Sequence, residues 1–179
     1  MSVYLGNRQA KFGTRQSFPA GERVFWVAVG DFDRDRHVDL VTVNHKAGTV
    51  SILRGDGRGG FVPFRSYLVG PTPTSVLASD IDGDGFDDLI VTNHGTDNFS
   101  VLAGTRNGDF SGAQKSVTGV EPYAAATADF NSDGKDDLAV SNSASGDVSI
   151  FAGGASGLIS LPRIAVGRNL RGIAASDFD

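Results

Sequence analysis

Short apolar stretches alternate with clusters of Gly, Asn, Asp and Ser all along the chain, as where Asp137-Leu-Ala-Val-Ser-Asn142 runs into Ser143-Ala-Ser-Gly-Asp147. Runs of this length bounded by turn residues predict β-strands. No segment carries the 3.6-residue periodicity of an amphipathic helix, and Gly, Asn or Asp punctuates nearly every stretch, so the chain reads as all-β.

The pattern also repeats, with a period of 49 residues. Asp31, Asp80 and Asp129 keep this step, as do Leu40, Leu89 and Leu138, and Asn44, Asn93 and Asn142. Glycines follow it at Gly6, Gly55 and Gly104 and at Gly21, Gly70 and Gly119, and phenylalanines at Phe12, Phe61 and Phe110. The last copy is one residue short, with Asp177 48 after Asp129.

Each copy predicts four strands, A to D, placed in the third copy at Tyr123–Ala128, Asp137–Ser141, Val148–Ala152 and Leu158–Val166. Strand A is poor in bulk (Ala124-Ala-Ala126), which suits an innermost strand near an axis. B and C carry Val, Leu and Ile, which suits burial on both faces. Four antiparallel strands per unit in tandem are the mark of β-propeller blades. The 179 residues hold about 3.6 such units in one partial propeller domain. Residues 1–22 supply strands C and D of one blade, 23–70, 71–119 and 120–167 are whole blades, and 168–179 open a further one. The open ends predict either a piece of a longer ring or copies that associate into a homo-oligomer.

Composition narrows the partners. A net charge of −5 with 16 scattered basic residues disfavours nucleic acid. The absence of cysteine excludes disulfides and thiolate chemistry. No apolar run reaches the ~18 residues needed to span a bilayer, and Met1–Gly6 lacks the character of a signal peptide, so no membrane role is expected.

The chemistry-bearing segments lie between strands A and B. They read Asp31-Phe-Asp33-Arg-Asp35-Arg-His37-Val-Asp39, Asp80-Ile-Asp82-Gly-Asp84-Gly-Phe86-Asp-Asp88 and Asp129-Phe-Asn131-Ser-Asp133-Gly-Lys135-Asp-Asp137. Side-chain oxygens stand at positions 1, 3, 5 and 9. His37, Phe86 and Lys135 at position 7 offer a backbone carbonyl. Hard oxygen donors at this spacing suit Ca²⁺, up to three per chain. One Asp-x-Asp-Gly turn is an ordinary solvated loop, but three in register crowd like charges that need a counter-ion. No Lys or Arg side chain is expected against the ligand positions. Position 12 is Thr42, Val91 or Val140, which excludes an EF-hand.

Ala78-Ser-Asp-Ile-Asp-Gly-Asp-Gly-Phe-Asp-Asp-Leu-Ile-Val-Thr-Asn93, followed by Ser100-Val-Leu-Ala-Gly104 and Phe110, resembles the FG-GAP and VCBS-type repeats of integrin-α-like β-propellers. The resemblance covers essentially the whole chain. It implies a usually seven-bladed, extracellular or cell-surface module with metals at the A–B loops and a ligand on the opposite face. Two departures stand out. Arg36 replaces glycine at position 6 of the first loop, and the fourth loop retains only Asp177 and Asp179 and is expected to be empty.

The opposite face collects the B–C and D–A segments. These are Asn44-His45-Lys46, Asn93-His94-Gly95 and Asn142-Ser143, with Arg23, Phe25, Trp26, Thr72-Pro73-Thr74 and Glu121-Pro122-Tyr123. Arg23, Phe25, Trp26, His45, His94 and Tyr123 are the candidate ligand contacts. The histidines also fit solvent-facing turns after a capping Asn, and Trp26 also fits plain core packing. No nucleophile, triad or phosphate loop is legible, so no catalytic residue is assigned and the chain is expected not to be an enzyme. The function expected is a calcium-stabilised module for adhesion or for binding protein or glycan. A self-assembling structural propeller, or the propeller of a secreted hydrolase or lyase, are the alternatives.

Overall fold

The computed structural model describes residues 1–154 and 157–176. A short hairpin, β1 (Ser2–Val3) with β2 (Gln16–Ser17), precedes three antiparallel sheets of one design. The first is β3 (Val24–Gly30), β4 (Asp39–Asn44), β5 (Thr49–Gly55) and β6 (Phe61–Leu68). The second is β7 (Pro73–Ser79), β8 (Asp88–Asn93), β9 (Asn98–Leu102) and β10 (Gln114–Val117). The third is β11 (Pro122–Ala128), β12 (Asp137–Asn142) and β13 (Asp147–Ala152), the last flanked by β14 (Ile159–Ser160) and β15 (Ile164–Ala165). Strands pair in sequence order within every sheet, the meander of a β-propeller blade.

Burial explains the strand composition. Every residue of β4, β8 and β12 is buried: β8 lies between the other two sheets, the N-terminal hairpin covers Leu40 of β4, and β12 turns only the small Ala139 toward the outer side of the third sheet. Val41, Val43, Ile52, Leu89, Val91 and Leu102 close the seam between the first two sheets. Ile90, Phe99, Leu138, Val140 and Phe151 close the next. The N-terminal hairpin brings Met1, Val3 and Phe18 onto Leu40 and Leu53.

The repeated Asn and Gly have packing roles. Asn44, Asn93 and Asn142 are 0–2% exposed, not part of the outer face, and each Nδ2 donates across the B–C turn to strand C. Gly21, Gly70 and Gly119 lie against these amides, where a Cβ would come within 2.1–2.7 Å. Gly55, Gly104 and Gly153 admit the preceding loop, since a Cβ there would meet the carbonyl of residue 38, 87 or 136 at 2.1–2.2 Å.

Two strand expectations change. The fourth strand of the third sheet is two short pieces on either side of Leu161-Pro162-Arg163, because Pro162 has no N–H for the ladder. Residues 168–176 form no strand, since no described strand B lies beside them to pair with. Asp177 and Asp179 lie outside the described residues. No helix among the described residues is long and apolar enough to cross a membrane.

Candidate metal loops and the opposite face

Each A–B loop winds around its own backbone. The N–H of position 6 donates to the position-1 carboxylate: Arg36 to Asp31 at 2.9 Å, Gly85 to Asp80 at 2.8 Å and Gly134 to Asp129 at 2.8 Å. The N–H of position 7 donates to position 5: His37 to Asp35, Phe86 to Asp84 and Lys135 to Asp133. The wrap needs left-handed backbone at position 6, where Gly85 and Gly134 have φ of 88° and 83° and Arg36 is held at 69°. Position 4 is left-handed as well, including Arg34 and Ser132 at 61°, a demand the acidic spacing alone does not reveal.

Position 9 staples the loop to the blade. Asp39, Asp88 and Asp137 are buried; one oxygen of each accepts from the N–H of position 2 (Phe32, Ile81, Phe130). The other accepts from the N–H of Gly55, Gly104 or Gly153, at 2.8 Å in all three.

The first two loops gather three carboxylates whose oxygens lie within 4.8 Å of one another: Asp31, Asp33 and Asp39, then Asp80, Asp82 and Asp88. Asp35 and Asp84, at position 5, fall outside these trios. Burial pushes the Asp88 carboxyl up to about 6, against its bond from Gly104 and with Asp82 adding repulsion; burial also raises Asp39. In the exposed third loop, the N–H of Gly134 holds Asp129 below the usual range. The second loop fits a hard cation best. Asp80 Oδ1 is buried and accepts no hydrogen bond from the described residues, and an all-oxygen set of crowded carboxylates is the environment Ca²⁺ neutralises. The third loop offers Asp129, Asn131, Asp133 and Asp137 in the same backbone wrap.

The first loop differs. The Arg54 guanidinium lies 3.1 Å from Asp33 Oδ2, so the expectation of loops free of cationic side chains is wrong there. Arg54 sits on β5, remote in sequence from the loop. Its one legible signal is that Ala103 and Ala152 occupy the equivalent places in the other copies.

On the opposite face, the B–C and D–A segments meet: the N–H groups of His45 and Ser143 donate to Arg23 and Glu121. A register shift at the start of each inner strand bulges out Phe25, Thr74 and Tyr123. Phe25 stacks on His45 (centroids 5.0 Å apart) and meets Tyr123 edge-on at 6.1 Å; Tyr123 meets His94 at 6.5 Å. Glu121 lies 3.6 Å from His94 Nε2, and the Arg171 guanidinium sits over the Tyr123 ring. Four of the six candidates thus form one patch spanning three sheets. Arg23 sits at its edge with φ 53°, where Thr72 (47°) and Glu121 (56°) repeat the strain one and two blades on. Trp26 is 42% exposed and joins none of these ring contacts among the described residues; it lines a separate hollow with Met1, Val24, Phe25 and Val27. Glu121 and Arg171 were not singled out from sequence, because charge alone did not distinguish them.

Meandering antiparallel sheets stacked face to face, each with an acidic loop between its first two strands, define blades of a β-propeller. The chain belongs to the FG-GAP-like repeat family, whose model matches residues 31–91 and 80–140, and the FG-GAP repeat model matches 122–160. This agrees with the integrin-α-like resemblance. No curated protein matches the chain in sequence.

Among solved structures, the periplasmic gluconolactonase PpgL of Pseudomonas aeruginosa is similar with a TM-score of 0.62 and 20% identity, over 79% of this chain and 39% of that one. A functionally unknown protein from Desulfotomaculum acetoxidans gives 0.66 and 14%, over 92% and 51%. A Lactobacillus plantarum protein gives 0.55 and 14%, over 92% and 64%. The chain therefore spans 39–64% of these neighbours' length. The gluconolactonase overturns the expectation that the chain is no enzyme. An enzyme is built on this fold, so lack of a legible triad does not exclude catalysis.

Proposed function

We propose that the chain is part of a calcium-stabilised β-propeller that binds a protein or glycan ligand through the face opposite its acidic loops, as an adhesion or recognition module. The ring patch carries this reading: Phe25, His45, His94 and Tyr123 come from three successive sheets, with Glu121 and Arg171 at its margin. Half-exposed aromatic surface rimmed by polar groups suits sugar stacking or a peptide anchor. Asp80, Asp82, Asp84 and Asp88, then Asp129, Asn131, Asp133 and Asp137 would hold metals, with backbone from Phe86 and Lys135; the first loop presents Asp31, Asp33, Asp35, His37 and Asp39 at the same positions, with Arg54 against Asp33. Calcium would supply charge neutralisation in the loops. The family and the periplasmic neighbour support an extracellular or periplasmic setting.

A glycan array and an extracellular-protein panel, each read with and without chelator, test the face. Tyr123→Ala and Phe25→Ala should lose at least tenfold in binding while melting like the parent. Binding untouched by both would overturn the assignment.

Self-association is a second reading, favoured by the open face of the third sheet. Val148, Ile150, Ile164 and Val166 there line a hollow of about 960 Å³. Apolar surface of that kind favours a partner layer. Sedimentation showing a strict 18.7 kDa monomer at high concentration would refute it.

A further inference from the structure

We propose that Arg54 is the resident cation of the first acidic loop, so that the chain loads calcium at its second and third loops and admits it to the first only when Arg54 is removed. The inference rests on the calcium reading above and concerns how the three loops divide.

Three contacts fix the Arg54 guanidinium. Its Nε lies 3.1 Å from Asp33 Oδ2, its Nη2 donates to the Asn107 carbonyl of the next sheet at 2.8 Å, and its plane sits 3.6 Å from the centroid of the Phe64 ring. Two of these do not involve the carboxylate. The charge therefore stays beside Asp33 whether or not the carboxylate turns toward a metal, unlike a free surface side chain that swings away into solvent. Position 5 is committed too: Asp35 accepts from the His37 N–H at 2.7 Å, and its other oxygen lies 3.1 Å from the His37 ring Nδ1. Two of the four side-chain donors thus face a basic side chain.

The second loop keeps the backbone bond from Phe86 to Asp84 but has neither basic side chain at these places. Ala103 replaces Arg54, Phe86 replaces His37, and Asp80 Oδ1 is left buried without a hydrogen bond. The third loop has Ala152 and Lys135 at these places. A divalent ion bound through Asp33 would sit next to a fixed positive charge. Repulsion at such range weakens binding by roughly tenfold to a hundredfold even with substantial solvent screening.

Calorimetric titration of the calcium-stripped chain, with bound metal counted by elemental analysis at micromolar free calcium, tests this. The parent should bind two calcium ions tightly. Arg54→Ala should bind a third with affinity within about tenfold of the others, and so should Arg54→Met, which keeps an apolar stem over Phe64. Three equivalent sites in the parent, or two sites in both folded variants, would overturn the role of Arg54. A parent that binds no calcium at all would instead overturn the calcium reading and this inference with it.

Discussion

Replacing Asp88 by alanine removes the acceptor of two buried backbone donors at once, the N–H of Ile81 at 3.1 Å and that of Gly104 at 2.8 Å. Each hydrogen bond to a charged acceptor contributes about 1.5–3 kcal/mol, and an orphaned buried amide carries a comparable penalty. The desolvation that lifts the Asp88 carboxyl to about 6 offsets part of this. The expected loss is therefore near the lower bound of the pair, about 3 kcal/mol. For a domain of this size that corresponds to a melting temperature lower by roughly 6–12 °C. The loss should persist in EGTA, because both bonds are to the protein. Asp84→Ala gives the contrast: its side chain is exposed and, among the described residues, accepts only from the Phe86 N–H, so in EGTA it should cost no more than about 1 kcal/mol. Urea melts of parent, Asp88→Ala and Asp84→Ala in EGTA at pH 7.5 measure this. An Asp88→Ala variant within about 1 kcal/mol of the parent would refute position 9 as a structural staple.

Three further outcomes are expected. Saturating calcium should stabilise the chain by roughly 2.7 kcal/mol per site at 100-fold excess over the dissociation constant, and a melt unchanged by EGTA would count against structural calcium. Asp88 has a folded-state pKa raised from 3.8 to about 6, so the extra metal-free stability that comes from folding around the protonated carboxyl is full below 3.8 and lost as pH rises through about 6, leaving the two backbone bonds to the ionised side chain. The same proton competes with metal, so calcium affinity at the second loop should fall as pH drops below about 6; equal affinity at pH 5 and pH 7.5 would contradict this. Arg36→Gly relieves a side chain held at φ 69° while keeping the main-chain bond to Asp31. The gain should be about 0.5 kcal/mol once the greater freedom of glycine in the unfolded chain is subtracted, and a destabilised variant would show the turn is unstrained.

The repeat, the order of strands and the acidic loops were legible because each depends on residues close in sequence. Asp-x-Asp-Gly spacing and the runs through Leu40, Leu89 and Leu138 act within one hairpin, and the structure keeps their register in all three copies. Asn44, Asn93 and Asn142 were misplaced on the surface because a polar residue beside a turn reads as exposed. Their burial depends on strand C hydroxyl, amide and carboxylate oxygens that take both amide hydrogens. Arg54 escaped for a different reason: it acts across the sheet on Asp33 and across a seam on Asn107, and a period analysis ranks residues that recur, not those that break the recurrence. Phe25 and Tyr123 were legible as aromatic residues but not as one patch, since the bulge that aims them belongs to strand pairing.

The acidic loops also stand where one blade meets the next. Arg34 of the first loop lies 4.1 Å over the ring of Phe86 in the second. Ser79 at the end of β7 donates to Asp136 in the third loop at 2.6 Å. Beneath them, Tyr67 of the first sheet donates to Asp109 and accepts from the Phe110 N–H of the second. Apolar packing between the sheets is strong but non-directional, and two such faces can slide or tilt at small cost. Directional contacts at the rim remove that freedom, because each requires a loop in one conformation and a neighbour at one angle. Disordering an acidic loop should therefore loosen the seam as well as the turn. If calcium orders the second and third loops as proposed, and Arg54 the first, the same groups would hold the angle between blades, and so the spacing at which Phe25, His45, His94 and Tyr123 meet on the far side.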